Sequence, residues 1–138
     1  MDTPKDISTL YRKMNMIVNS RLLSLGLTCA KAMFLCCLFD HKQMTQVEMC
    51  RDLDMDKSTV TKMLMRLEKD GLITKTVHPD DIRAFQVMLT DKATALVPKA
   101  REIQQEWLDE VTSKLTDLEK RNYFELLEKV AIVANEIS

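Results

Sequence analysis

Only five of the 138 residues are Gly or Pro, two glycines and three prolines, against an average near 12% for the pair. A chain with so few turn formers cannot reverse often. A sandwich or barrel, which turns about every 8–12 residues, is close to excluded, and helix is the expected main element. Hydrophobic residues at 46% and charged residues at 30% allow one core under a solvated surface, so the length reads as one domain. No apolar run approaches the roughly 18–20 residues of a membrane span. The opening MDTPKD lacks the basic start and apolar stretch of a secretory signal. These features read as a cytoplasmic protein. A formal net charge of −1 singles out no polyanionic partner. Cys29, Cys36, Cys37 and Cys50 lie among apolar residues without CxxC spacing, so reduced thiols are expected.

Periodicity sets out the order of elements. Ile7, Leu10, Tyr11, Met14, Ile17, Val18 and Leu22 recur at helical spacing, and Gly26 ends that run. Thr28 reads as the N-cap of a second helix, about Cys29 to Phe39, apolar nearly all round and therefore buried. Thr45 with Glu48 has capping-box spacing and opens a short helix. Another helix starts near Asp56 or Lys57 and ends at Gly71. Strand-like runs at Leu72–Val77 and Phe85–Thr90 follow, joined by residues 78–84 as an exposed hairpin tip. A long helical pattern spans about Asp91 to Leu115, with Pro98 either kinking it or marking its start. Thr116 with Glu119 opens a last helix through Ile137.

Residues 44–90 thus read as two short helices, a tight link and a hairpin, the layout of a winged helix-turn-helix. In that fold the second helix enters the DNA major groove. At about 100° per residue, Met63, Leu64 and Leu67 fall within roughly 60° of Val60, while Ser58, Lys62, Met65 and Lys69 fall within roughly 40° of the opposite pole. Thr59, Thr61 and Arg66 flank that pole. Residues 41–83 hold eight Lys or Arg and eight Asp or Glu, so the segment is not basic overall. The acids, however, sit off the outward pole, which is cationic and rich in hydroxyls, as contacts to phosphates and base edges require. Lys62 can donate to guanine, and Thr59 and Thr61 can bond bases or touch a thymine methyl.

Three stretches are more specific: Ser58-Thr59-Val60-Thr61, Leu67-Glu68-Lys69-Asp70-Gly71-Leu72-Ile73, and Asp81-x-Arg83 followed after five residues by Leu89-Thr90. Together with Gly26-Leu27-Thr28 and the flanking helices, they resemble the MarR family of bacterial transcription regulators along essentially the whole chain. The resemblance implies a mainly α fold with a small β-hairpin wing. Residues 28–90 would form the winged helix-turn-helix lobe, and residues 5–27 and 91–138 the N- and C-terminal dimerisation helices. It also implies a homodimer on a pseudo-palindromic double-stranded DNA operator, acting as a repressor that a small-molecule effector or oxidant releases. By position, Ser58, Thr59, Thr61, Lys62 and Arg66 would contact DNA from the recognition helix. Arg83 would reach the minor groove from the wing, and Asp81 would hold the wing in shape. An always-charged guanidinium suits the negative potential of a narrow minor groove. The chain departs from the family in having Ala93 where a Gly is frequent, and Lys62 and Met65 where relatives often place Arg and Asp or another polar residue.

The terminal segments carry apolar stripes longer than the lobe can cover. Leu10, Trp107, Leu118 and Leu127 are therefore expected members of a dimer interface. Cys29, just after Thr28, stands where a helix N-terminus stabilises a thiolate, which makes it the candidate redox sensor. The alternative is that all four cysteines are small buried hydrophobes. Cys36, Cys37 and His41 lack a familiar zinc spacing, so no metal is expected. No cofactor is expected either. With two glycines in the chain there is no phosphate-cradling loop, and no nucleophile motif is present, so an enzyme is not expected. A winged helix serving only protein contacts would place acids on the outward helix face, where this chain has Lys62, Arg66 and Lys69.

Overall fold

Each helix begins where a side-chain oxygen can satisfy its first backbone donors. In the computed structural model, which describes residues 1–77, 80 and 84–137, Asp2 accepts from the Lys5 N–H and starts α1 (Thr3–Leu22). A 3₁₀ turn (Leu23–Leu25) and Gly26, at φ 72°, close it. Without a Cβ, Gly26 takes this left-handed conformation at no steric cost. Thr28 accepts from the Lys31 N–H and caps α2 (Cys29–His41). Asp56 caps α4 (Lys57–Lys69). Thr116 and Glu119 form the full reciprocal box on α6 (Asp117–Glu136). At Thr45 the box is half made. Its hydroxyl accepts the Glu48 N–H at the start of α3 (Gln46–Leu53), but it donates its own proton to Glu48 Oε1, 3.1 Å away.

The predicted hairpin is present as β2 (Ile73–Val77) and β3 (Phe85–Leu89), paired antiparallel with Ile73 opposite Leu89. One strand went unpredicted. β1 (Gln43–Thr45) pairs antiparallel with β3, Met44 opposite Val87, and makes a three-stranded sheet in the order β1-β3-β2. Helix α5 (Asp91–Val111) runs through Pro98 rather than starting there.

The chain divides into two compact units, residues 1–104 and 105–138. In the first, the core is built on α2, which buries Phe34, Leu35 and Leu38. Val60, Leu64 and Leu67 of α4, Met49 of α3, Ile73 and Val87 of the sheet, and Val97 and Ala100 of α5 complete it. Burying each such aliphatic chain contributes about 1.5–3 kcal/mol. In the second unit Trp107 and Thr112 are buried, Lys120 Nζ lies 2.6 Å from Asp109 Oδ1, and α6 buries no side chain. No single helix among the described residues is long and apolar enough to cross a membrane.

Candidate nucleic-acid interface

The buried stripe of α4 decides which of its residues can meet a ligand. Val60, Leu64 and Leu67 face inward, leaving Ser58, Thr59, Lys62, Met65, Arg66 and Lys69 exposed and Thr61 half-buried. The pole read from the sequence is therefore solvent-facing. Its N-terminal end is held firmly. Asp56 Oδ1 accepts the Thr59 N–H at 2.7 Å. Those bonds from the Thr59 backbone and hydroxyl, with the Lys62 charge nearby, hold its carboxyl below the usual carboxylate range.

Gln46 is a residue that sequence reasoning missed. Its side-chain amide donates to the Lys57 carbonyl at 3.3 Å and to the Thr61 hydroxyl. The first residue of α3 thus fixes the first turn of α4. Thr61 spends one acceptor position on Gln46 and keeps its hydroxyl proton to donate. A polar residue at the start of one helix, eleven residues before the next helix begins, carries no periodic signal that would have pointed to it.

Three of the acids in this segment have partners away from this pole. Glu68 lies 3.9 Å from Lys75, and Asp70 lies 2.8 Å from Lys31. Asp52 sits beside Cys37 and His41. The wing is anchored to the end of α4. Gly71, at φ 73°, ends the helix. Its carbonyl accepts the Thr90 hydroxyl proton at 2.8 Å, and the Thr90 N–H donates to the Leu72 carbonyl at 3.0 Å. The same Thr90 oxygen accepts the Ala93 N–H at 3.3 Å. Thr90 therefore joins the end of α4, the wing and the start of α5. Arg83 and Asp81, assigned to the wing tip and its shape, lie outside the described residues. A cleft of about 520 Å³ is lined by Gln46, Val47, Lys57, Leu64, Phe85 and Val87, among others.

The cysteines divide by environment. Cys29 is at the start of α2 as expected, and its N–H donates to Asn19 Oδ1 at 2.6 Å. Its thiol is nevertheless raised, because burial outweighs the bonds that favour the thiolate. A reactive thiolate needs the opposite shift. Cys36 faces Arg101. Cys37 meets Asp52, Sγ to Oδ2 3.0 Å. Burial, with the Asp52 carboxylate accepting its proton, pushes Cys37 up to about 12. His41, one turn beyond Cys37, completes this group. Its donor atom and those of Cys37 and Asp52 lie within 4.8 Å of one another.

A helix-turn-helix with a cationic, hydroxyl-bearing second helix, followed at once by an antiparallel wing, defines the winged-helix class of nucleic-acid-binding domain. Residues 27–85 match the MarR family. The chain is 30% identical over 125 residues to the multiple antibiotic resistance protein MarR of Escherichia coli, covering 90% of this chain and 87% of that protein. It is 33% identical over 82 residues to the HTH-type transcriptional regulator BilQ of Clostridioides difficile, covering 59% of this chain and 53% of the relative. That match thus spans about half the relative's length. A MarR family transcriptional regulator from Listeria monocytogenes, solved in complex with 26mer DNA, superposes with a TM-score of 0.89 at 21% identity, over 99% of this chain and 91% of that one. This chain belongs to the MarR family of transcriptional regulators.

Proposed function

We propose that this protein represses transcription by binding a pseudo-palindromic operator as a homodimer, in the cytoplasm, and leaves DNA when a small-molecule effector binds. The observation that carries this reading is the outward pole of α4, where Ser58, Thr59, Lys62 and Arg66 are exposed above buried Val60, Leu64 and Leu67. Side chains of these types donate to phosphates and base edges. Thr61 would add a base contact from the flank. Arg83 would enter the minor groove, and Asp81 would shape the wing that carries it. The Listeria protein, which shares this fold, was captured on DNA.

The homodimer is supported by apolar surface left in water. α6 exposes Leu118, Leu126, Leu127, Val130 and Val133, and α1 exposes Ile7, Leu10 and Tyr11. A helix with no fully buried side chain and this much exposed apolar surface is stabilised by covering that face with a partner. Residues 5–27 and 91–138 would supply that interface and residues 28–90 the DNA-binding lobe. Trp107 is already covered within the chain, so its neighbours rather than its own ring would carry the interface. The 520 Å³ cleft beside α3 and α4 is in reach of the recognition helix, and it is the place we assign to an effector.

A gel shift on DNA upstream of the protein's own coding region, across a salt series with random DNA as competitor, tests the reading. Specific retardation that weakens steeply with salt is expected, because each phosphate contact releases counterions. Absence of any specific band at low salt, on that DNA and on a selected pool of random duplexes, would overturn it in favour of a protein partner.

A further inference from the structure

We propose that Cys37, His41 and Asp52 form a binding site for a divalent zinc-class metal ion, three protein ligands with water in the fourth position. Cys37 and His41 are one helical turn apart at the end of α2, so both side chains lie on one face. Asp52 comes from the last turn of α3. The sulfur of Cys37 is 3.0 Å from Asp52 Oδ2, and His41 Nε2 is 3.9 Å from Asp52 Oδ1. Metal–ligand bonds of about 2.0–2.3 Å put neighbouring atoms of one tetrahedron about 3.3–3.6 Å apart. These two separations, one to each oxygen of the Asp52 carboxylate, lie on either side of that spacing, and the three ligand atoms lie within 4.8 Å of one another, so side-chain rotations would close the site.

The orientation of the imidazole is independent support. His41 Nδ1 lies 2.8 Å from the Cys37 carbonyl oxygen. In a neutral imidazole whose Nδ1 donates to that carbonyl, Nε2 is the nitrogen free to bind a metal, and it faces the Asp52 carboxylate. Metal-binding histidines almost always donate their other ring N–H to a carboxylate, a backbone carbonyl or water, and the Cys37 carbonyl is such a partner. Sulfur and imidazole exclude magnesium and calcium, which take oxygen ligands. The carboxylate disfavours copper(I), which prefers soft thiolate and thioether donors. Cys37 is buried, while His41 and Asp52 are exposed, which leaves a path for entry and room for the water. On binding, the Cys37 thiol proton now donated to Asp52 passes to solvent as the sulfur–metal bond forms, and no oxidant or reductant takes part. The ion would tie α3, which positions the recognition helix, to the central helix α2.

The experiment is a cobalt(II) titration of the reduced full-length protein, followed by optical absorption and then by zinc displacement. It involves no DNA, so its failure and that of the operator reading are distinguishable. One equivalent per chain is expected, with a thiolate-to-cobalt charge-transfer band and the visible bands of a tetrahedral ion, all lost on adding zinc. Cys36→Ser should bind like the unaltered protein. His41→Gln and Asp52→Asn, both at exposed positions, should bind at least tenfold more weakly while keeping their helical circular dichroism. Cys37→Ser should lose the charge-transfer band. No band in the unaltered protein, or a band of undiminished affinity in His41→Gln and Asp52→Asn, would overturn the site whether or not the buried Cys37 variant folds.

Discussion

Lys31, in the first turn of α2, reaches the C-cap of α4 and places its Nζ 2.8 Å from Asp70 Oδ2. Lys92 of α5 approaches the same residue from another side and donates to the Asp70 carbonyl at 3.3 Å. Two lysines thus hold the end of α4, where cations are also favoured by the helix dipole. The Lys31 hydrogen bond, with the charges of Lys31, Lys92 and Lys69, holds the Asp70 carboxyl below its ordinary value of 3.8.

A depressed folded-state pKa stabilises the fold above the unfolded value and loses that contribution as pH falls through the folded value. The Asp70 contribution is therefore complete above about pH 5 and disappears below the ordinary carboxylate range. Because Asp70 is exposed, the pair is worth no more than about 1 kcal/mol. Urea unfolding of Asp70→Asn should show that small loss at neutral pH and none at the acid end. A loss that persists unchanged in acid would mean that the carboxylate's charge is not what holds the helix end.

Leu64 lies on the inward stripe of α4 and is 1% exposed. Leu64→Ala should cost about 2–5 kcal/mol, the transfer term plus the cavity left behind. Chemical denaturation measures it. A cost under 1 kcal/mol would mean that the helix packs less tightly than its buried face indicates.

The inward stripe was legible because it depends on one helix and its period alone. Val60, Leu64 and Leu67 fall on one side of any helix drawn through Lys57–Lys69. The caps at Thr28, Asp56 and Thr116 were equally local. β1 was not legible. Its three residues, Gln43, Met44 and Thr45, become a strand only because β3, some forty residues later, presents Gln86, Val87 and Met88 to them. The Cys37–His41 spacing was visible, but Asp52 joins them only through the packing of α3 against α2. Pro98 left two readings open, a kink or a start, and the structure carries α5 through it from Asp91, the missing N–H of an interior proline costing one bond of the helix.

Gln46 acts on α4 from outside it. Gln46→Ala removes both bonds from its amide and should cost about 0.5–1.5 kcal/mol of stability. If that bond sets the angle at which α4 meets DNA, operator affinity should fall as well, although Gln46 need not touch DNA. The two effects separate in a comparison of melting temperature with gel-shift titration. Lower stability with unaltered operator affinity would confine Gln46 to the fold.

Lys62 and Arg66 are exposed on α4 beside Ser58. Lys62→Ala should weaken operator binding by about 1–3 kcal/mol if it reads a base. If it meets a phosphate, it should instead lower affinity evenly across sequences and reduce the salt slope by about one. Fluorescence anisotropy on operator and random duplexes at several salt concentrations distinguishes these two contacts. Unaltered affinity on every duplex would remove Lys62 from the interface.

The proposed dimer makes the sharpest demand on α6. Leu127 is about half exposed and sits among Leu126, Val130 and Val133, all exposed as well. A charge introduced here costs little in an isolated chain, because no internal packing is lost. Across a dimer interface it would be driven into an apolar environment, which costs several kcal/mol unless it is paired. Leu127→Glu should therefore leave the first unit folded while shifting the sedimenting species from two chains to one at micromolar concentration. Operator binding should fall with it, since a single recognition helix loses the second half-site. A Leu127→Glu protein that still sediments as a dimer and binds DNA normally would place the interface elsewhere and leave the apolar face of α6 without a role.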